Sequence, residues 1–181
     1  MTGSVSRGRP RWALFLGLAA AVVVVDQLTK AWLVGVLAPG ERMEVVGDLL
    51  RLVHGQNDGA IFGLFRDQAL LFGIISLAVV AAIVWFHRAS GRSTVISLAL
   101  GLLLGGAIGN MIDRFRFGYV IDWVDAGIGD LRFYTFNVAD SAITGAVLLL
   151  LLTAFVPSLV APAKDAERPG TGAPTSGPAD A

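Results

Sequence analysis

Two acidic side chains lie in stretches where a charge is costly. Asp140 lies in "FNVADSAITGAVLLLLL", where a polar loop passes into a very apolar run, and Asp122 lies in the mostly apolar stretch "GYVIDWVD". Burial raises the pKa of a carboxyl, and two neighbouring carboxyls share one proton because they do not easily both ionise. One can then take a proton from water while the other gives a proton to a carbonyl oxygen. The two acids are therefore a candidate dyad for amide hydrolysis without a metal.

Asn137 precedes Asp140 by three residues, so both side chains lie on the same face at the start of a predicted helix. An acid in the first turn of a helix is also typical of a simple cap or dipole partner. Spacing alone leaves both interpretations of Asp140 open.

Further polar residues recur at helical spacing inside apolar segments. Asp26 and Lys30 are four residues apart, which favours a structural ion pair, and Asn110 and Arg114 share a face in the same way. Gly101, Gly105 and Gly109 also recur every four residues. This spacing of small residues is typical of closely packed membrane helices.

The composition predicts the elements that carry these residues. The chain has 181 residues, of which 55% are hydrophobic and 15% charged, and its mean hydropathy is +0.69. Soluble domains have about a quarter charged residues, so a membrane protein is indicated. Its 14 basic and 14 acidic residues give a formal net charge of zero, which does not suggest nucleic-acid binding. There is no cysteine, which excludes disulfides and thiolate nucleophiles.

We predict an all-α membrane protein with four transmembrane helices, because four apolar stretches are about 20 residues long. The N-terminal segment 1–11 is basic, the membrane domain covers 12–160, and the Pro- and Gly-rich tail 161–181 is predicted to be disordered. The four predicted spans are 12–37, 69–86, about 94–112 and about 138–160.

Lysine and arginine are in excess on the cytoplasmic side of membrane proteins. Both termini and the short loop at about 87–93 are therefore predicted to be cytoplasmic, and the long loops at about 38–68 and 113–137 extracytoplasmic. The bases behind this prediction are Arg7, Arg9, Arg11, Arg88, Arg92, Lys164 and Arg168.

The first long loop contains alternating apolar and polar residues on both sides of Gly47 and Asp48, which predicts a small extracytoplasmic β-hairpin between spans one and two. Phe62, Leu64 and Phe65 could dip into the membrane interface, or could simply cover helix ends.

Four motifs together resemble lipoprotein signal peptidase, the type II signal peptidase family of bacteria. They are "DQLTK" at 26–30, "NDGAIFG" at 57–63, "GNMIDRFRFGYVIDWVD" at 109–125 and "FNVADSAI" at 136–143. The resemblance implies a four-helix aspartic endopeptidase of the bacterial cytoplasmic membrane, with no cofactor or metal. Its implied partners are membrane lipid and diacylglyceryl-modified prolipoproteins, cut just before the lipid-modified cysteine. We expect the enzyme to be a monomer.

The resemblance also implies roles for single residues. Asp122 and Asp140 would be catalytic, while Asp26 and Lys30 would stabilise the architecture. Isoleucine at 61 departs from the alanine common in the family and could narrow the pocket beneath the loop. Substrate binding or support of the dyad would fall to Asn57, Gly59, Asn110, Arg114 and Asn137.

Other sites are less consistent with the sequence. "GIGD" at 127–130 matches a signature of presenilin-type proteases but lies in a polar loop, and Ser141 with Lys30 could imitate a serine-lysine pair. We expect His54 to be a loop residue and His87 a solvated partner of Arg88, and no "HExxH" zinc motif occurs. The main alternative function is a small proton-coupled transporter, since membrane acids also relay protons. A passive scaffold with polar helix caps is a third possibility.

Overall fold

The computed structural model describes residues 9–58 and 69–160 of the chain. Four of the helices in these ranges are long and apolar enough to cross a membrane, as the sequence predicted. Such segments form helices because a bilayer offers no partner to an open backbone N–H or C=O group. The helices are α1 (Trp12–Val36), α2 (Ala69–Ser90), α3 (Thr94–Phe117) and α4 (Val138–Phe155).

Helix α3 is the centre of the bundle and packs against each of the other three helices. Glycines permit the close approach: a Cβ at Gly105 would lie 2.8 Å from the Ala19 carbonyl oxygen of α1, and one at Gly106 would lie 2.5 Å from the Ala139 carbonyl oxygen of α4. The close packing predicted from the glycine spacing is confirmed. This contact places the start of α4 directly against α3.

A four-stranded antiparallel sheet has the strand order β1-β2-β3-β4, and its third strand contacts α1 and α3. A small sheet was predicted, but only from the loop between the first two helices. That restriction is wrong, because β3 and β4 come from the segment between α3 and α4. The strands are β1 (Arg42–Val46), β2 (Leu50–Asn57), β3 (Val120–Ile128) and β4 (Leu131–Arg132).

Strand β3 is held in place on β2. Its register pairs Gly55 with Asp122 and Asn57 with Val120, and a bulge lies between Leu52 and Gly55. The pairing brings the end of β2 next to Asp122. Apolar residues from α1, from the residue that follows it, from β2 and from β3 form one buried cluster, namely Leu33, Leu37, Leu52 and Ile121.

Two predicted helix ends are wrong by about five residues. Helix α3 continues beyond 112 to Phe117, where Gly118 ends it in a left-handed conformation with φ 82°. Arg114 and Arg116 lie in its last turn, where positive charge is favourable. Helix α4 ends at Phe155, and a short 3-10 helix follows at Pro157–Leu159 because proline cannot continue an α-helix.

Both histidines are buried, whereas His87 was predicted to be solvated and His54 to be a loop residue. His87 has no exposed surface, stacks on Phe15 at 3.9 Å between ring centroids and lies 3.2 Å from the Ser97 hydroxyl. His54 lies on β2, where its Nδ1 donates to the Leu37 carbonyl oxygen at 2.8 Å. The sequence suggested a solvated position for His87 because its partners Phe15 and Ser97 lie on other helices.

Candidate active site

Asp122 lies on β3 with 2% of its surface exposed. Its two oxygens accept hydrogen bonds from Asn57 Nδ2 at 3.0 Å and from Asn137 Nδ2 at 2.8 Å. Burial, and after it the charge of Asp140, raises the pKa of Asp122 to about 6, although the two asparagines and Lys30 act in the opposite direction. Asp122 is therefore a carboxyl that keeps a proton closer to neutral pH than an ordinary aspartate.

Asp140 lies in the first turn of α4, where it forms a capping box with Asn137. The backbone N–H of Asp140 donates to Asn137 Oδ1 at 2.9 Å, and the backbone N–H of Asn137 donates to Asp140 Oδ2 at 3.2 Å. The other oxygen, Oδ1, accepts from Asn110 Nδ2 at 2.8 Å. Asp140 thus completes the cap of the helix, as the simpler interpretation held, and it also contacts a polar residue of α3.

Asn137 joins the two acids. It has no exposed surface, its side chain donates to Asp122 and accepts from the Asp140 backbone, and its own backbone N–H donates to the Asp140 carboxyl. Its Nδ2 also lies 3.1 Å from Asn110 Oδ1. The structure therefore brings Asp122 and Asp140 to two sides of one buried amide, although they come from β3 and from α4.

A charged network lies beneath this amide. Lys30 Nζ contacts Asp26 at 2.8 Å and Asp113 at 2.7 Å, and donates to Asn110 Oδ1 at 3.1 Å. The predicted pairing of Asp26 with Lys30 is confirmed. The ammonium also reaches α3, so the network connects the first and third helices.

Sequence reasoning missed Asp113 and Gln27. Asp113 was treated as a loop acid, but it lies inside α3 with 1% exposure and accepts from Gln27 Nε2 at 2.9 Å. A signal was present: Asp113 follows Asn110 by three residues and so lies on the same helix face as Asn110. The predicted early end of the span hid that relation.

Arg114 is less directly connected to the two acids. Arg114 donates to the backbone oxygen of Asn110 at 3.3 Å and lies over the Phe72 ring at 5.9 Å. Gly59, together with Ile61, Phe62, Leu64 and Phe65, falls outside the described residues.

Two rival sites are not supported by these positions. Asp130 of "GIGD" is exposed in the turn between β3 and β4. Ser141 is exposed and donates to the Asn137 carbonyl oxygen of its own helix at 3.0 Å, whereas Lys30 is engaged by Asp26, Asp113 and Asn110.

Known proteins are similar over most of the chain. The family described as "Signal peptidase (SPase) II" matches residues 18–156. A lipoprotein signal peptidase of Caulobacter vibrioides is 41% identical, over 84% of this chain and 92% of its own. One from Geobacillus kaustophilus is 42% identical, over 76% of this chain and 90% of its own.

Solved structures give the same result. Two structures described as bacterial membrane enzymes superpose on this fold. One has a TM-score of 0.76 at 28% identity and covers 88% of this chain and 98% of its own. The second has a TM-score of 0.73 at 30% identity, with 81% and 95% covered. These similarities favour a membrane peptidase and give no support to the transporter alternative.

Proposed function

Because the chain belongs to the signal peptidase II family, we propose that Asp122 and Asp140 are the catalytic pair of this peptidase. The observation that carries the proposal is the shared contact with Asn137, which hydrogen-bonds both carboxyls. An aspartic peptidase needs two carboxyls that hold one proton between them. The raised pKa of Asp122, caused by burial and by Asp140, fits that need.

The chain cleaves signal peptides from prolipoproteins, as its lipoprotein signal peptidase relatives are named to do. The finer specificity is part of our proposal: the cut falls just before a diacylglyceryl-modified cysteine. A membrane-embedded enzyme suits that substrate because the lipid chains hold the scissile bond at the bilayer surface.

We further propose how the proton is divided. Asp122 carries it in the reacting form of the enzyme, because its surroundings are dry and its pKa is raised to about 6. Asp140 lies at the N-terminus of α4, where the helix favours a negative charge. The Asp140 carboxylate then takes a proton from water, which attacks the scissile carbonyl carbon while Asp122 protonates the carbonyl oxygen. The proton on Asp140 passes to the leaving amine as the C–N bond breaks. A hydroxyl of the tetrahedral intermediate returns a proton to Asp122 in the same step, which gives the carboxylic acid product and restores the starting pair.

The asparagines support these two acids in the proposal. Asn57 and Asn137 donate to Asp122, and Asn110 donates to Asp140. Donors of this kind fix the direction of a carboxyl and stabilise its charged form. Arg114 and Gly59 would bind the substrate or support the dyad, as the family resemblance implies.

The location is a proposal as well. We place the enzyme in the bacterial cytoplasmic membrane as a monomer, with both termini in the cytoplasm and the catalytic pair on the extracytoplasmic side. The basic residues at 7–11 and 88–92 support this orientation. The segments 1–11 and 161–181 would then be cytoplasmic extensions of a single domain at 12–160.

The test is cleavage of a lipid-modified substrate by the purified enzyme. Asp122→Asn and Asp140→Asn should each abolish turnover while the far-UV spectrum and elution volume stay unchanged, since asparagine cannot exchange the proton. Asp130→Asn is the matched control, because this acid is exposed on the same sheet and its loss should leave the rate unchanged. Retained cleavage in either of the first two variants would show that its residue is not catalytic.

A further inference from the structure

Lys30 is surrounded by three acceptor side chains. Among the described residues, no other cation contacts these acceptor atoms. Its ammonium contacts Asp26, Asp113 and Asn110 Oδ1 at 2.8, 2.7 and 3.1 Å. All four side chains are at least nine-tenths buried. A lysine ammonium has three hydrogens to donate, so these three partners use all of them.

The first consequence concerns the amide of Asn110. An amide has an oxygen end and an NH₂ end, and a cation attracts the oxygen. Lys30 therefore holds Oδ1 inward, which leaves Nδ2 directed at Asp140 Oδ1, 2.8 Å away. The reversed amide would turn its NH₂ group toward the ammonium and its oxygen toward a carboxyl, and both contacts would be repulsive.

The second consequence concerns the two carboxylates that flank the lysine. Asp26 Oδ1 accepts the backbone N–H of Ala139 at 2.9 Å, and Ala139 directly precedes Asp140. Asp113 Oδ2 accepts the backbone N–H of Ile121 at 3.1 Å, and Ile121 directly precedes Asp122. Each buried acid thus holds the chain one residue ahead of a proposed catalytic aspartate.

We propose that Lys30 is the positioning residue of the dyad: it orients the Asn110 amide and holds together the two carboxylates that fix the backbone beside Asp122 and beside Asp140. Without the cation, Asp26 and Asp113 would repel each other across the space between α1 and α3. Lys30 does not touch the reacting atoms, so it is not itself catalytic. The inference rests on the proposed catalytic roles of Asp122 and Asp140.

The experiment is a double-mutant cycle on the rate of cleavage. Lys30→Met, Asn110→Ala and the double variant are assayed with a lipid-modified substrate, and kcat and KM are determined separately. Lys30→Met should lower kcat roughly tenfold to a hundredfold, since small misplacements of reacting groups have effects of that size, while KM changes little. In the Asn110→Ala background the same replacement should lower kcat by a clearly smaller factor, because one path from Lys30 to Asp140 is already lost.

A second variant guards against a failure to fold. Lys30→Met leaves two carboxylates unpaired, whereas Lys30→Met with Asp113→Asn keeps the net charge of the cluster. This charge-conserving variant should fold, as judged by its melting temperature, and still show the loss of kcat. Normal kcat in it, or equal factors in both backgrounds of the cycle, would overturn the proposal. Failure of both variants to fold would also overturn it, since Lys30 would then serve the fold alone.

The aspartate variants separate this inference from the proposed function. Cleavage by Asp122→Asn or Asp140→Asn would refute the catalytic pair itself. If both aspartate variants are inactive, the catalytic pair stands. If, in addition, Lys30→Met lowers kcat by the same factor in the native and in the Asn110→Ala background, only the positioning role of Lys30 fails.

Discussion

Asp122 makes the stability of the fold depend on pH. Its pKa is raised from 3.8 to about 6, mainly by burial, so between these values the folded chain binds more protons than the unfolded chain. The contribution of Asp122 to stability is then fully present below pH 4 and is lost as the pH rises through 6. The loss amounts to about 3 kcal/mol at neutral pH, because each pH unit between the unfolded and the folded pKa of Asp122 corresponds to about 1.36 kcal/mol.

Asp122→Asn should therefore stabilise the fold relative to the native chain as the pH rises. Between pH 4 and pH 8 the difference in unfolding free energy should move in favour of the variant by up to about 3 kcal/mol, because asparagine never carries the charge. The measurement is the melting temperature in detergent micelles across that range. Asp130→Asn, on an exposed residue, should show no such trend, and a flat difference for Asp122→Asn would contradict the burial argument.

Single residues were predictable where one stretch of sequence carried the signal. Asp122 and Asp140 were unusual because of their apolar neighbours, and Asn137 was linked to Asp140 by helical spacing. Asp113 was missed since its partner Lys30 lies on another helix, and His87 since its partner Phe15 is distant in the chain. A sequence window does not contain such partners.

At the scale of elements, α3 carries different neighbours on different faces. Gly101 and Gly105 face α1, and Gly106 faces α4 beside Ala139. Gly109 lies near both, against Asp26 of α1 and Ala139 of α4. The four-residue spacing revealed the first face. The second was not predictable, because one isolated glycine gives no periodic signal.

Gly106→Ala should separate α4 from α3 and reduce activity. The added Cβ would lie 2.5 Å from the Ala139 carbonyl oxygen and 2.6 Å from Ile143 Cγ1, so the helices must move apart. Overpacking of this kind costs about 1–3 kcal/mol. Because Ala139 adjoins Asp140, the rate should also fall roughly tenfold or more.

Gly145→Ala is the matched control, since a Cβ there meets nothing within 4 Å. It should keep the native rate and gain up to about 1 kcal/mol of stability from helix propensity. Melting temperature and cleavage rate are measured on both variants. Equal behaviour of the two would refute the tight contact at Gly106.

The sheet was only half predictable. The hairpin of β1 and β2 follows from alternating residues beside Gly47 and Asp48, and the pairing of Met43 with Leu52 agrees with it. Strand β3 was read as an apolar part of a loop, since "VIDWV" does not alternate clearly. Its partner β2 lies about 65 residues earlier, as in the contact of Asn57 with Asp122, and short-range patterns do not report such pairs.

At the scale of the whole molecule, the proposed orientation predicts which ends are accessible from each side of the membrane. The chain has no cysteine, so single replacements give unique labelling sites. Asp130→Cys, in the exposed turn of the sheet, should react with a membrane-impermeant maleimide added outside intact cells. Ala89→Cys lies at an exposed position near the C-terminal end of α2. It should react only after the cells are opened. The reverse pattern would overturn the orientation.

The overall architecture was the most predictable level, because four long apolar runs admit few other folds in a bilayer. Hydropathy alone identified the four helices, but it does not predict which helices contact each other. The central position of α3 arises from close contacts at its glycines with α1 and α4, and these depend on the distant partners.

The spacing of Asp26 and Lys30 within α1 also bears on biosynthesis. The two charges are one turn apart and 2.8 Å from each other. The carboxylate of Asp26 can therefore neutralise Lys30 as soon as α1 has been synthesised. Asn110 of α3 follows Lys30 only 80 residues later. A nascent chain that ends after α1 can therefore enter the lipid phase with its charges already paired. The third helix, made later, then packs against a lysine that is already in the membrane.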